Sequence, residues 1–113
     1  MVKEVTASEL EKIIKKATLV LVDFSAVWCG PCHRQHEILE ELEQKLNGKI
    51  IIVSLDIDKD RAYAIQLGIR AVPTLQLYKN GQVVTVSDKK GEQDRLVSVQ
   101  SLPFLENLIN KFI

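Results

Sequence analysis

The chain has little that would assign it to a membrane, to a nucleic acid or to export. No apolar run is longer than four residues, as from Leu19 to Val22, whereas a membrane-spanning helix needs about 20. Basic and acidic residues both number 15, so the formal net charge is zero, and no basic stripe favours nucleic acid or an anionic membrane as a partner. Residues Met1 to Thr6 lack the apolar core of a secretory signal, so we expect a cytoplasmic protein.

Cysteine is also scarce, since the chain has only Cys29 and Cys32, with two residues between them. A disulfide across so short a loop removes little entropy from the unfolded chain, so the pair cannot be the framework of a small exported domain. In a reducing compartment the two thiols stay reduced until they react. The pair therefore indicates thiol chemistry rather than structural support.

What the chain does contain is the composition of a globular domain. Its residues are 46% apolar and 27% charged, as is typical of a soluble globular protein. A chain of 113 residues is long enough to bury one core but too short for two domains. We therefore expect a single domain over residues 1–113. We also expect it to act as a monomer.

The order of the predicted helices and strands indicates an α/β fold. A capping-box pattern at Thr6 and Glu9 begins the first helix, and Asn80-Gly81 is typical of a hairpin. In chain order the predicted elements are helix 7–17, strand 19–24, a helix that follows the cysteines and ends at 47–48, strand 50–55, helix 60–68, strand 73–78, strand 82–86 and a helix from about 101. This order predicts a mixed sheet with helices on both faces, and the cysteines lie where a buried strand gives way to a helix.

The run CGPCHRQH, from Cys29 to His36, is consistent with three kinds of chemistry. It contains a C-x-x-C dithiol, it matches the haem-attachment string C-x-x-C-H, and two cysteines with two histidines could bind zinc. Haem is disfavoured because the iron would need a second ligand besides His33, and the chain offers only Met1 and, one turn along the same helix, His36. Zinc is disfavoured because structural sites take their ligands from two separated segments.

Dithiol exchange explains this run best. It needs a thiolate at a site that stabilises negative charge and a second thiol that resolves the mixed disulfide. Cys29 is predicted at the exposed N-terminus of a helix, where free N–H groups and the helix dipole stabilise a thiolate, and Cys32 is predicted to lie deeper. Pro31 suits the first turn because its missing N–H would have had no helical partner. We therefore predict that Cys29 attacks and that Cys32 resolves.

Two longer stretches resemble the thioredoxin family. They are VDFSAVWCGPC, from Val22 to Cys32, and GIRAVPTLQLYKNG, from Gly68 to Gly81. The resemblance covers about residues 5–81 and, more weakly, the last helix. It implies the thioredoxin fold, a central mixed sheet flanked by four helices, and protein-disulfide reductase activity. It also implies no cofactor beyond the dithiol, disulfide-containing proteins as substrates, and regeneration by an NADPH-dependent thioredoxin reductase.

The resemblance also assigns roles to single residues. Cys29 matches the family's nucleophile, Cys32 its resolving thiol and Asp23 a buried carboxylate behind them. Burial among apolar neighbours should raise the pKa of Asp23, which would let it exchange a proton with Cys32. Pro73 matches a cis-proline that would turn the backbone of Val72 toward the dithiol. The residues expected to contact the substrate are Trp28, Gly30, Pro31, Val72 and Thr74.

Three substitutions depart from the family pattern near the dithiol. Ser25 stands where the family commonly has tryptophan, Glu37 where its helix has a kinking proline, and Ser54 where a lysine often neighbours the buried carboxylate. Without that lysine the carboxylate lacks a partner, and an unpaired buried charge is costly. We therefore hypothesise that His36 turns inward, approaches Asp23 directly or through water, and joins the proton relay. The alternative is that His36 points into solvent.

A fourth departure is extra chain before the last helix. Residues 87–98 are interposed there, and Arg95 to Val99 looks like a strand. We therefore expect an extended edge hairpin region near 82–100, with a longer or additional strand.

The predicted function is that of a general protein-disulfide reductase that maintains thiol redox balance. Two alternatives stay open at this point. One is a specialised thioredoxin-like protein with few partners, and the other is a redox-silent interaction module whose dithiol is vestigial.

Overall fold

The computed structural model describes residues 1–88 and 91–113, and these residues form eight strands and four helices. The strands are β1 (Lys3–Glu4), β2 (Leu19–Ser25), β3 (Ile51–Asp56), β4 (Thr74–Lys79), β5 (Gln82–Val83), β6 (Val86–Asp88), β7 (Gly91–Gln93) and β8 (Leu96–Val97). The helices are α1 (Ala7–Lys16), α2 (Gly30–Leu46), α3 (Arg61–Gln66) and α4 (Leu102–Asn110). All four predicted helices and the three long strands are present, whereas β1 was not predicted.

The main sheet is mixed, as predicted. Its strand order is β1-β3-β2-β4-β5, and β8 also pairs with β4. Both β1 and β2 run parallel to β3, whereas β4 is antiparallel to β2, β5 and β8. The register places Phe24 opposite Thr74. The end of β2 therefore lies beside the start of β4, which brings the chain that follows Phe24 close to the chain that precedes Thr74.

The central strand β2 is buried on both faces of the sheet. Leu19 and Leu21 pack in a cluster with residues of α2 and α4. Val20 and Val22 pack on the other face, in a cluster with residues of α1 and α3. Because side chains alternate along a strand, Asp23 lies on the same face as Leu19 and Leu21, the face that α2 and α4 cover.

Short-range signals set the ends of the helices. The predicted capping box forms, since Glu9 N–H donates to Thr6 Oγ1 at 3.2 Å and Thr6 N–H donates to Glu9 Oε1 at 2.9 Å. α2 ends at Asn47, which has a left-handed φ of 44°, and Ser101 caps α4 by accepting the N–H of Phe104 at 3.3 Å. Within the described ranges, no helix is long and apolar enough to cross a membrane.

The edge of the sheet beyond Asn80-Gly81 differs from the prediction. The hairpin forms, but β5 pairs over only two residues instead of 82–86, and the chain then leaves the main sheet. β6 and β7 pair with each other as a separate two-stranded sheet. The strand predicted over 95–99 is shortened to β8, because Ser98 adopts a positive φ of 77° that does not fit an extended strand. Lys89 and Lys90, which belong to the segment 87–98, lie outside the described residues.

Arg95 binds the chain between β7 and β8, the returning chain, to the end of α3. Its guanidinium group donates hydrogen bonds to the carbonyl oxygens of Leu67 at 2.8 Å and Gly68 at 3.1 Å. It also pairs with Asp94 at 2.8 Å. Carbonyl oxygens at the C-terminal end of a helix carry partial negative charge and lack helical donors, so a cation there is stabilising. This anchor holds the chain in place just before β8.

Replacing Arg95 with alanine should lower the free energy of unfolding by about 1–3 kcal/mol, because two helix-end carbonyl oxygens lose a charged donor. Urea-induced unfolding of the oxidised protein measures the change. Arg70→Ala is the matched control, since Arg70 is exposed near the same helix end. Equal unfolding midpoints for the two variants would contradict the role given to Arg95.

Candidate active site

The two cysteines lie at the N-terminal end of α2 and are joined by a disulfide. Cys29 is the N-cap and Cys32 lies in the first turn, with their Cα atoms 5.3 Å apart. The N–H of Cys32 donates to the Sγ of Cys29 at 3.2 Å. Because the N-terminus of a helix carries positive partial charge and free donors, this position stabilises a thiolate at Cys29 once the disulfide is reduced.

The surroundings of the disulfide are apolar, and the predicted exposure of Cys29 is wrong. The sequence predicts an exposed Cys29 above a deeper Cys32, whereas the exposed fractions of the two residues are 5% and 2%. The cysteines cluster with Ala26, and Ile57 and Val72 pack against this cluster. Cys29 is covered because the loop that carries Val72 folds over the start of α2. Only a small part of the disulfide is therefore open to a partner.

The loop before β4 presents its backbone to the dithiol. The peptide bond between Val72 and Pro73 is cis, as predicted. The carbonyl oxygen of Val72 lies 3.7 Å from the Sγ of Cys29. Thr74 is buried, and its hydroxyl donates to the carbonyl oxygen of Ala71 at 2.6 Å, which closes the loop on itself. Backbone groups of Val72 are thus available next to the reacting sulfur.

Trp28 is exposed on the rim of the site but is held by a hydrogen bond. The residue is 67% exposed, and its indole N–H donates to the Oδ2 of Asp58 at 2.7 Å. The Oδ1 of Asp56 accepts the N–H of Asp58 at 2.8 Å, which orders the acidic turn after β3. Gly30 and Pro31 are exposed beside the same rim. Sequence reasoning missed Asp58, because 30 residues separate it from Trp28 and no local pattern links the two.

Asp23 is fully buried, and neither of its carboxylate oxygens has a hydrogen-bond partner among the described residues. Burial raises the pKa of Asp23 from 3.8 to about 7. The predicted desolvation is therefore confirmed. Ser54 is its register partner on β3 and brings no charge to offset the burial. A carboxyl group with this pKa can accept or return a proton near neutral pH.

His36 does not contact Asp23. Its side chain is 46% exposed, and its Nε2 lies 3.1 Å from the Oε1 of Glu40. The buried residue on this turn of α2 is Gln35. Gln35 and Leu39, three and seven residues after Cys32, lie near the middle of the buried face of α2. His36, four residues after Cys32, lies at the edge of that face. The predicted inward orientation of His36 is therefore wrong, and this histidine has no part in the mechanism proposed below.

A cavity of about 230 Å³ adjoins the dithiol. Its wall includes Cys32, Ser25, Ser54 and His36. Ser25 and Ser54 have small side chains, and the cavity that they line leaves space beside Cys32. In the part of the chain that the structure describes, no three Cys, His, Asp or Glu side chains are grouped so that they could hold a metal ion.

Comparisons with known proteins agree with this geometry. The thioredoxin family model matches residues 1–101. A thioredoxin of Rickettsia felis is 35% identical over 114 residues that cover all of both chains. A thioredoxin of Bacillus subtilis is 37% identical over 84% of this chain and 83% of its own. A solved thioredoxin structure from Plasmodium falciparum has a TM-score of 0.81 at 33% identity and covers 99% of this chain and 100% of its own.

The chain belongs to the thioredoxin family. The thioredoxin fold expected from the sequence is confirmed. Thioredoxins exchange disulfides through their active-site dithiol without a further cofactor, so the chain is a thiol-disulfide oxidoreductase that acts as a protein-disulfide reductase. Its partners are disulfide-containing proteins and a thioredoxin reductase. A redox-silent module with a vestigial dithiol does not agree with this membership or with the disulfide that the two cysteines form.

Gln35 is the second residue of the thioredoxin site that sequence reasoning missed. It is fully buried three residues after Cys32, and both polar ends of its side-chain amide bond to the backbone of Gln100. A polar residue within the apolar stripe that includes Leu39 and Leu42 is the signal that could have revealed it. Its partner could not be found in this way, because it lies 65 residues along the chain.

The buried Asp23 should make the stability of the oxidised protein depend on pH. In the native state Asp23 keeps its proton up to a pKa of about 7, whereas in the unfolded chain it loses the proton near 3.8. The native state therefore binds more protons between these two values. Stability should fall as pH rises from about 4 to about 7 and should stay low above that range. The shift of the pKa corresponds to roughly 4 kcal/mol.

Asp23→Asn should remove this pH dependence and should be more stable than the wild type at pH values above the pKa. Urea unfolding of the oxidised proteins across the acidic and neutral range measures it. Asp94→Asn is the control, because the hydrogen bond from Arg95 lowers the pKa of Asp94 and its removal should act in the opposite sense. An Asp23→Asn protein with the pH profile of the wild type would show that Asp23 is not the titrating group.

Proposed function

We propose that the chain is a general protein-disulfide reductase of the cytoplasm, acting as a single-domain monomer. We propose further that a thioredoxin reductase regenerates it with electrons from NADPH. The observation that carries the proposal is the carbonyl oxygen of Val72, 3.7 Å from the Sγ of Cys29. A polypeptide that pairs with the backbone of Val72 would bring its disulfide to Cys29 whatever its side chains are. Recognition through backbone groups supports a broad range of substrates.

The exposed side chains on the rim of the site support the same breadth. Val27 and Trp28 are largely exposed, and Pro31 is exposed beside them. Contacts with such apolar groups are not directional and suit many protein surfaces. A reductase also needs its dithiol reduced between cycles, which supports a cytoplasmic location.

In the first proposed step, the thiolate of Cys29 attacks one sulfur of the substrate disulfide. A new S–S bond forms between Cys29 and that sulfur, and the S–S bond of the substrate breaks. The other substrate sulfur leaves as a thiolate and takes a proton from water. The N–H of Cys32 and the N-terminal end of α2 stabilise the attacking thiolate. Trp28, Gly30, Pro31, Val72 and Thr74 are proposed to line or shape the surface that holds the substrate, with Pro73 fixing the loop.

In the second proposed step, Cys32 resolves the mixed disulfide. Its thiol gives up a proton, for which we propose Asp23 as the acceptor. The resulting thiolate attacks the Sγ of Cys29 and releases the remaining substrate sulfur as a thiolate. The substrate has then gained two electrons, and the Cys29–Cys32 disulfide is formed again. The raised pKa of Asp23 supports this role, because proton transfer is most effective when the pKa lies near the working pH.

Cys32→Ser should trap substrate proteins as mixed disulfides on Cys29, because the first step still occurs and the second cannot. Cys29→Ser should trap none, because the attacking sulfur is missing. Non-reducing gels followed by mass spectrometry identify the adducts and the cysteine that carries them. The opposite pattern, with adducts only on Cys32, would reverse the assigned roles.

The range of substrates tests the general reductase against the specialised one. The assay follows NADPH consumption with a thioredoxin reductase and with insulin or several unrelated disulfide-containing proteins as final acceptors. A general reductase should turn over most of them at comparable rates. Turnover confined to one acceptor would favour the specialised alternative, and no turnover with any protein would reject both.

A further inference from the structure

Gln35 joins α2 to the chain that precedes α4. Its side chain is fully buried. Its Nε2 donates to the carbonyl oxygen of Gln100 at 3.1 Å, and its Oε1 accepts the N–H of Gln100 at 2.6 Å. One side-chain amide thus pairs with both backbone groups of a single residue. Removing it would leave two partly buried backbone groups of Gln100 without these partners, which is costly.

The partner of Gln35 lies in a turn that touches the proposed substrate segment. We call residues 98–100 the 98–100 turn. The N–H of Ser98 donates to the carbonyl oxygen of Pro73 at 3.0 Å. The 98–100 turn therefore lies alongside residues 72–74, whose backbone faces the dithiol.

These contacts connect α2, the 98–100 turn and the loop before β4 around the dithiol. Gln35 is one turn along α2 from the cysteines and holds the 98–100 turn. The turn holds Pro73, and the carbonyl oxygen of the preceding Val72 lies 3.7 Å from the Sγ of Cys29. Hydrogen bonds thus link the helix that carries the reacting cysteines to the 98–100 turn, and the turn to the loop that faces the dithiol.

The shape of the 98–100 turn depends on side-chain contacts. Ser98 has a φ of 77°, in the left-handed region that residues with a Cβ rarely adopt. The side-chain amide of Gln100 donates to the carbonyl oxygens of Val97 at 3.1 Å and Ser98 at 3.0 Å. Since Gln35 holds the backbone of Gln100, it stabilises the whole turn.

We propose that Gln35 is a positioning residue: by holding the 98–100 turn, which in turn holds Pro73, it sets the width of the space between the dithiol and residues 72–74. We call this space the substrate groove. It thereby favours polypeptide disulfides, which must lie along residues 72–74. Small disulfides need to reach only Cys29 and do not depend on the groove. This inference rests on the proposed pairing of the substrate with the backbone of Val72.

Gln35→Leu tests the proposal, because leucine has a side chain of similar size but cannot form either hydrogen bond. Gln76→Leu is the matched control. Gln76 is also a buried glutamine, and its amide donates to the same returning chain, at the carbonyl oxygen of Asp94 at 3.3 Å. It lies on β4 opposite Val22, on the face of the sheet away from α2. The two variants therefore lose comparable contacts on opposite sides of the sheet.

Insulin and dithiobisnitrobenzoate serve as the polypeptide and the small disulfide. In Gln35→Leu we expect the KM for insulin to rise about tenfold, the scale of one lost hydrogen bond. The kcat for insulin and the rate with dithiobisnitrobenzoate should not change. Amide hydrogen exchange at Ser98 and Gln100 should become faster in this variant. Gln76→Leu should leave all of these values at their wild-type level.

An equal loss of activity toward both disulfides, an unchanged KM for insulin, or unchanged exchange at Ser98 and Gln100 would each overturn the proposal. Gln35→Glu gives the same comparison if the leucine variant does not fold, because glutamate keeps the shape and the acceptor oxygen but lacks the N–H donor. A wild-type protein that reduces dithiobisnitrobenzoate but not insulin would instead overturn the proposed function itself.

Discussion

Burial of β2 on both faces is the constraint on which the rest of the site depends. Because β2 pairs with β3 on one side and with β4 on the other, its carboxyl end is held between two neighbours. The register with β4 sets Phe24 opposite Thr74, and this brings the Val72 loop to the start of α2. A slip of one residue would turn every side chain of β2 to the opposite face. The cysteines, the facing loop and the buried carboxylate are therefore positioned by one set of strand pairings.

The same burial makes the environment of Asp23 unfavourable for negative charge, whereas the environment of Cys29 favours it, and dithiol exchange uses this difference. Asp23 has no access to water, so its carboxyl group stays protonated up to a pKa of about 7. Cys29 lies at the end of a helix dipole that stabilises negative charge. A thiolate is thus favoured at the helix terminus while a proton is retained in the interior. Acid–base catalysis commonly uses two ionisable groups whose environments shift their pKa values in opposite directions.

The chain between β7 and α4 adds contacts that support the site. Arg95 binds the end of α3, β8 pairs with β4, and the 98–100 turn is held by Gln35. Each contact satisfies backbone groups that would otherwise be unpaired in a partly buried loop. The chain from Arg95 to Gln100 is therefore connected by hydrogen bonds to α3, to β4 and, at Gln100, to the catalytic helix α2.

The sequence by itself determined the features that short-range interactions control. The capping box at Thr6, the end of α2 at Asn47 and the burial of β2 could be predicted, because the residues responsible lie within a few positions of one another. The dithiol at the start of α2 could be predicted for the same reason, since Cys29, Cys32 and the helix N-terminus are neighbours in the chain.

Only the tertiary structure decided the pairing of Trp28 with Asp58, the outward orientation of His36 and the bond between Gln35 and Gln100. Each depends on the rotation of α2 or on residues far apart in the chain. A difference of one helix position moves a side chain by about 100° around the helix axis, which turned His36 away from the buried stripe, and the partners of Trp28 and Gln35 lie 30 and 65 residues along the chain, where no local pattern reaches.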